Sequence, residues 1–135
     1  MRVVLDTNVI ISALLWGGTP AKIIKLAQEN RIALFTTREQ LFELLNVLSR
    51  KKFITALIKS GLSPASGIEI YSQLAKLITA IPKINVIKDD PADNIILACA
   101  VASKADYLIS GDRHLKRIKK YEGVTIVSPD QFLKL

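Results

Sequence analysis

Short apolar runs of three to five residues recur between longer segments of helical periodicity, and this alternation constrains the fold more than any other feature. The runs are Arg2–Leu5, Ile32–Phe35, Asn85–Ile87, Tyr107–Ile109 and Val124–Val127. They show little alternation of apolar with polar residues, the mark of strands covered on both faces. Between them, Val9 to Leu15 reads as a brief helix ended by Gly17-Gly18, and Thr19-Pro20 opens a new one with Ile23, Ile24 and Ala27 on one face. Thr37 to Leu48 carries Leu41, Leu44, Leu45 and Leu48 at core spacing, and Phe53 to Lys59 continues helically to a stop at Gly61. Ser63-Pro64 starts a helix that turns Tyr71, Leu74 and Ile78 inward; Asp90-Pro91 starts another that runs to about Ser103. Arg113 to Lys119 is a short helix, and Ser128-Pro129 opens a last helical turn. This order predicts an α/β fold: a three-layer α/β/α sandwich on a central parallel sheet of four or five strands, one domain over residues 1–135.

Half of the residues are apolar, which is ample for a core. The longest apolar run, Ile95 to Ala102, is far shorter than a membrane span needs, and the N-terminus lacks the organisation of a secretory signal. A soluble cytoplasmic protein with no membrane partner is therefore expected. Cys99 is the only cysteine, which excludes an internal disulfide and a zinc-finger framework. Its setting, Ile-Leu-Ala-Cys-Ala-Val-Ala, reads as the packed face of a helix. The single histidine, His114, cannot make a His-rich zinc site and reads as a surface residue.

Three aspartates stand where the strands end. Asp6 follows the first run directly, Asp112 follows the fourth after Ser110-Gly111, and Asp93 lies at the start of the helix after the third. In a parallel sheet these exits share the edge at which ligands bind. Glu43, in the helix after the second run, falls opposite the leucine stripe, where an exposed surface or a cleft would suit it equally. Helix capping alone would account for each aspartate taken singly, Asp90 and Asp93 as N-cap and N3 included. Together they are costly, because two carboxylates about 4 Å apart repel by roughly 4 kcal/mol at an effective dielectric near 20. A hard divalent cation, Mg²⁺ or Mn²⁺, relieves that repulsion through oxygen ligands. The chain around these acids is basic, with 19 Lys and Arg against 12 Asp and Glu and a net charge of +7. A cationic protein holding a metal through acids suits hydrolysis of a nucleic acid.

These motifs resemble the PIN domain (PilT N-terminus) nuclease family, and within it the VapC-like toxins of toxin–antitoxin pairs. Val3-Val4-Leu5-Asp6-Thr7-Asn8-Val9-Ile10-Ile11-Ser12-Ala13 resembles the family's opening strand and first metal aspartate. Glu43-Leu44-Leu45-Asn46-Val47-Leu48-Ser49-Arg50 resembles its second acidic motif, and Asp90-Pro91-Ala92-Asp93-Asn94 with Leu97-Ala98-Cys99-Ala100 its third. Ala105-Asp106-Tyr107-Leu108-Ile109-Ser110-Gly111-Asp112 resembles the fourth, and Ile126-Val127-Ser128-Pro129-Asp130-Gln131-Phe132-Leu133 the closing segment. Where some relatives carry a further acid two residues after the fourth motif's aspartate, this chain has His114.

The resemblance implies a metal-dependent endoribonuclease leaving 5′-phosphate and 3′-hydroxyl ends. It implies Asp6, Glu43, Asp93 and Asp112 as metal ligands and catalytic groups, with Glu43 either a ligand or the group orienting the attacking water. Asn8 and Ser110 would support them through polar contacts. It further implies a small antitoxin partner and a homodimer. Arg50, Lys51, Lys52, Lys116 and Lys120 are the candidate contacts to the RNA backbone. Asp89, Asp106 and Asp130 are left outside the site, and Trp16 reads as a packing residue more readily than as a platform for a base. Three alternatives stay open: a housekeeping RNA-processing nuclease, a PIN-like module that binds RNA or protein without cutting it, and a metal-dependent phosphatase.

Overall fold

Val3 and Leu5 point to one face of the first strand and Val4 to the other, and all three are fully buried, so that strand must run through the centre of a covered sheet. The computed structural model, which describes residues 1–87 and 90–135, has it there. The chain runs β1 (Arg2–Leu5), α1 (Thr7–Leu15), α2 (Gly18–Gln28), β2 (Ala33–Thr36), α3 (Arg38–Leu48), α4 (Lys51–Lys59), α5 (Pro64–Leu74) and β3 (Ala75–Leu77). It continues through α6 (Pro91–Ala102), β4 (Tyr107–Ile109), α7 (Arg113–Ile118), β5 (Lys120–Tyr121), β6 (Val124–Val127) and α8 (Pro129–Leu133). The sheet order is β3-β2-β1-β4-β6-β5; the first five strands in that order are parallel and β5 pairs antiparallel with β6.

Two apolar clusters cover the sheet. Val3, Leu5, Leu34 and Ile109 pack with residues of α1, α2, α3, α4, α5 and α8, among them Ile10, Ile23, Leu44, Leu57, Tyr71 and Phe132. On the opposite face Val4, Phe35, Leu108 and Ile126 pack with Ile96, Leu97, Cys99 and Ala100 of α6 and Leu115 of α7. The result is the expected α/β/α sandwich. Cys99 is fully buried, as its helical setting predicts, and burial pushes its thiol up to about 12. No single described helix is long and apolar enough to cross a membrane.

The β3 edge differs from expectation. Tyr71, Leu74 and Ile78 have helical spacing, yet the helix stops at Leu74 and Ala75–Leu77 pairs with Leu34–Thr36 of β2. The ladder partner outweighs local periodicity. Asn85–Ile87, expected as a strand, is not one. A side chain takes the place of a neighbouring ladder: Asn94 Oδ1 accepts from the Val86 and Ile87 N–H groups at 3.1 and 2.9 Å, and Asn94 Nδ2 donates to the Ile87 carbonyl at 2.6 Å. β5 is an addition, made by a hairpin whose two-residue loop, Glu122-Gly123, has φ of 46° and 86°, the left-handed pair that such turns require. Trp16 is 62% exposed beside Lys52 and Lys59, which corrects the expectation that it packs. It follows the last turn of a short helix that the glycine pair terminates before the indole can reach the core.

Candidate metal centre

The sheet order places a crevice where the acids stand. From β1 the chain leaves through α1 on one face, and from β4 it leaves through α7 on the other. The carboxyl ends of these adjacent parallel strands are therefore a switch point of the kind at which α/β sheets bind ligands.

Asp6 sits one residue past β1. Its backbone N–H extends the ladder by donating to the Ile109 carbonyl at 2.9 Å, and its side chain is 5% exposed. Although Asp6 occupies the N-cap position of α1, its carboxylate makes no cap hydrogen bond. It takes the Ser110 hydroxyl instead, which donates to Asp6 Oδ2 at 2.7 Å and accepts the Asp112 N–H at 2.9 Å. Ser110 is itself pinned by its N–H on the Val127 carbonyl at 2.9 Å. One buried hydroxyl thus ties the β1 acid to the β4 acid. Asp112 also caps α7, with Oδ1 accepting the His114 N–H at 2.6 Å.

Asp93, in the first turn of α6, is 5% exposed, and its Oδ2 is buried without a hydrogen-bond partner. Glu43 is half-buried and points into the crevice rather than lying on an open surface stripe; its Oε2 is likewise buried and unpartnered. Orphaned carboxylate oxygens are expensive unless something outside the chain meets them.

Electrostatics agrees with the geometry. Burial, then Asp112, Asp90, Asp6 and Glu43 push the Asp93 carboxyl up from 3.8 to about 7. Burial, then Asp6 and Asp90, raise Glu43, while Arg50 offsets part of this. Burial also raises Asp6, against the lowering effect of the Ser110 hydrogen bond, with Asp112 and Asp90 adding to the rise. Five carboxylates thus share one field. Ligand oxygens of Asp90, Asp93 and Asp112 lie within 4.8 Å of one another.

Of the remaining sequence candidates, Asn8 is exposed on the first turn of α1 with no side-chain hydrogen bond into the crevice, whereas Ser110 makes two. Arg50, Lys51, Lys52 and Lys120 are exposed and Lys116 is half-buried; among them, Arg50 acts on a crevice acid, Glu43. Asp106 binds the Arg2 N–H at 2.8 Å away from the acids, and Asp89 lies outside the described residues.

Sequence reading missed three contributors. Asp90 passed as a plain cap, which it also is, accepting the Ala92 N–H at 3.0 Å. The two acids flanking Pro91-Ala92 were the available signal, since N-cap and N3 side chains face the same helix end. Thr7, buried beside Glu43, stands within the opening motif. Gln40 had no signal: fully buried, it donates to the Leu5 carbonyl at 2.6 Å and accepts the Thr36 hydroxyl at 2.7 Å, fixing α3 to the end of β1 just before Asp6.

A sequence model described as PIN domain matches residues 2–114. Among solved structures, that of VapBC2 from Rickettsia felis, bound to a DNA fragment from their promoter, is similar in fold. It superposes with a TM-score of 0.62 at 18% identity, covering 93% of this chain and 97% of that one. No curated protein matches the chain.

Proposed function

The chain belongs to the PIN domain family, and on that premise we propose that it is a Mg²⁺- or Mn²⁺-dependent endoribonuclease acting as the toxin of a toxin–antitoxin pair. The observation that carries this reading is the pair of buried, unpartnered oxygens, Asp93 Oδ2 and Glu43 Oε2, set among further carboxylates in a protein of net charge +7. The gathered donors of Asp90, Asp93 and Asp112 are all carboxylate oxygens, which fits a hard cation.

Asp6, Asp93 and Asp112 would hold the cation, with Glu43 as a further ligand or as the group that orients the attacking water. When bound, the cation supplies an acidified water, in-line placement at phosphorus and neutralisation of charge on the leaving oxygen. The chain's own part is positioning. Ser110 holds the Asp6 carboxylate and the Asp112 backbone to one hydroxyl, so the two acids cannot drift apart independently. Gln40 anchors the carbonyl preceding Asp6 to α3, the helix that carries Glu43. Arg50, Lys51, Lys52, Lys116 and Lys120 would grip phosphates beside the crevice, with Arg50 nearest in effect to Glu43.

RNA as substrate, the 5′-phosphate product end and a homodimer rest on the resemblance of the motifs. A small antitoxin that covers the acidic crevice is supported by the likeness to the VapBC2 complex. The reading is tested on an end-labelled mixed RNA pool with Mg²⁺ or Mn²⁺. Cleavage is expected, stopped by EDTA and abolished by Asp6→Asn and by Asp93→Asn. Undiminished cleavage by both variants would refute the site. Salt-sensitive RNA binding without cleavage in any metal would transfer support to a non-catalytic binding module.

A further inference from the structure

Asp90 does more than its local hydrogen bond requires. As the N-cap of α6 it uses Oδ1 to accept the Ala92 N–H, a task that Ser, Thr or Asn performs equally well without charge. An acid here adds a negative group to a crevice that already contains several. Its ligand oxygen nevertheless lies within 4.8 Å of those of Asp93 and Asp112, and in the same place Asp93 Oδ2 is buried with no partner in the chain. Oxygens around a cation at about 2.1 Å stand about 3 Å apart when adjacent, so side-chain rotations that close these separations by up to about 1.8 Å gather all three on one face. On the other side of the crevice, the position two residues after Asp112 is His114 and adds no carboxylate.

We propose that Asp90 is a direct ligand of the divalent cation, forming with Asp93 and Asp112 one face of its coordination shell. The α6 N-terminus then contributes two acids to the centre, and Pro91 and Ala92 between them set their spacing. The charge that an acid at position 114 would bring from α7 comes here from α6. This proposal rests on the metal-centre reading above.

The experiment is a Mn²⁺ titration followed by the EPR signal of the free ion, made on the full chain as wild type, Asp90→Ser, Asp90→Asn, Asp93→Asn and, as a control, Asp130→Ser on the exposed start of α8. Serine and asparagine preserve the cap and remove a charge that repels the neighbouring acids, so metal-free melting temperatures of both Asp90 variants should be no lower than wild type, and asparagine keeps the side chain's shape should serine disturb the fold. Wild type and Asp130→Ser are expected to bind Mn²⁺ alike, and both Asp90 variants at least tenfold more weakly, as does Asp93→Asn. Wild-type Mn²⁺ affinity in a folded Asp90→Asn would overturn the assignment of Asp90 and leave the metal centre standing. Failure of wild type itself to bind Mn²⁺ would overturn both.

Discussion

Removing one negative charge from the crevice should stabilise the metal-free protein, and Asp93→Asn is the cleanest way to do it. Asp93 is buried, Oδ2 has no partner, and burial with four neighbouring acids moves its carboxyl from 3.8 to about 7. In the unfolded chain the group ionises near 3.8, so between that value and about 7 the folded state binds more protons. Stability therefore falls as pH rises through this window, and the loss is complete above about 7. A shift of this size corresponds to about 4 kcal/mol at about 1.4 kcal/mol per pH unit, and sharing of protons among coupled acids reduces it to roughly 2–4 kcal/mol. Asparagine has the same shape and no charge, so at pH 8 in EDTA the variant should gain about that much. For a domain of this length the gain is roughly 6–12 °C in melting temperature. Urea unfolding of both proteins at pH 5, 6, 7 and 8 reads it directly: wild type should lose stability with rising pH, while Asp93→Asn loses much less. A wild type that is flat or gains stability over this range, or a variant no more stable at pH 8, would refute the electrostatic reasoning.

Four other outcomes follow from the same geometry. Adding Mn²⁺ to wild type at pH 8 should raise its melting temperature and flatten the fall with pH, with EDTA restoring both; Asp93→Asn should respond weakly. Gln40→Leu strands the Leu5 carbonyl and the Thr36 hydroxyl in the interior and should cost about 2–4 kcal/mol in urea unfolding, although no cleft residue is altered. Asn94→Ala releases the backbone of Val86 and Ile87, so limited proteolysis should cut near residues 84–87 markedly faster than in wild type. If Arg50 meets one phosphate, Arg50→Ala should reduce the slope of log affinity for single-stranded RNA against log salt by about 0.7.

Much of this was legible in the residues because strand ends and acids coincide. Val3-Val4-Leu5 is too apolar for anything but a covered strand, so Asp6 had to emerge at its carboxyl end; Tyr107-Leu108-Ile109 does the same for Ser110 and Asp112. What was hidden depended on partners distant in sequence. Ala75–Leu77 is a strand because β2 lies beside it, and no local pattern separates it from the last turn of α5. Asn85–Ile87 reads as a strand because Val86 and Ile87 are β-branched and apolar, but their backbone bonds to the amide of Asn94 instead of a neighbouring ladder. Glu43 was ambiguous on the helical wheel, since a surface and a cleft differ only in what faces them; the tertiary fold supplies Asp6 and Asp90 as neighbours. Asp90 was concealed by its own competence as a cap, because one visible role for a side chain hides a second.

The central claim is that these carboxylates surround a divalent cation, and anomalous diffraction from crystals grown with Mn²⁺ tests it most directly. The account predicts a peak in the crevice at about 2.2 Å from Asp93 Oδ2, bordered by Asp6 and Asp112 and absent in Asp93→Asn crystals. Saturating Mn²⁺ that leaves the crevice without a peak, or that labels surface acids such as Asp130 or Glu122 instead, would contradict it.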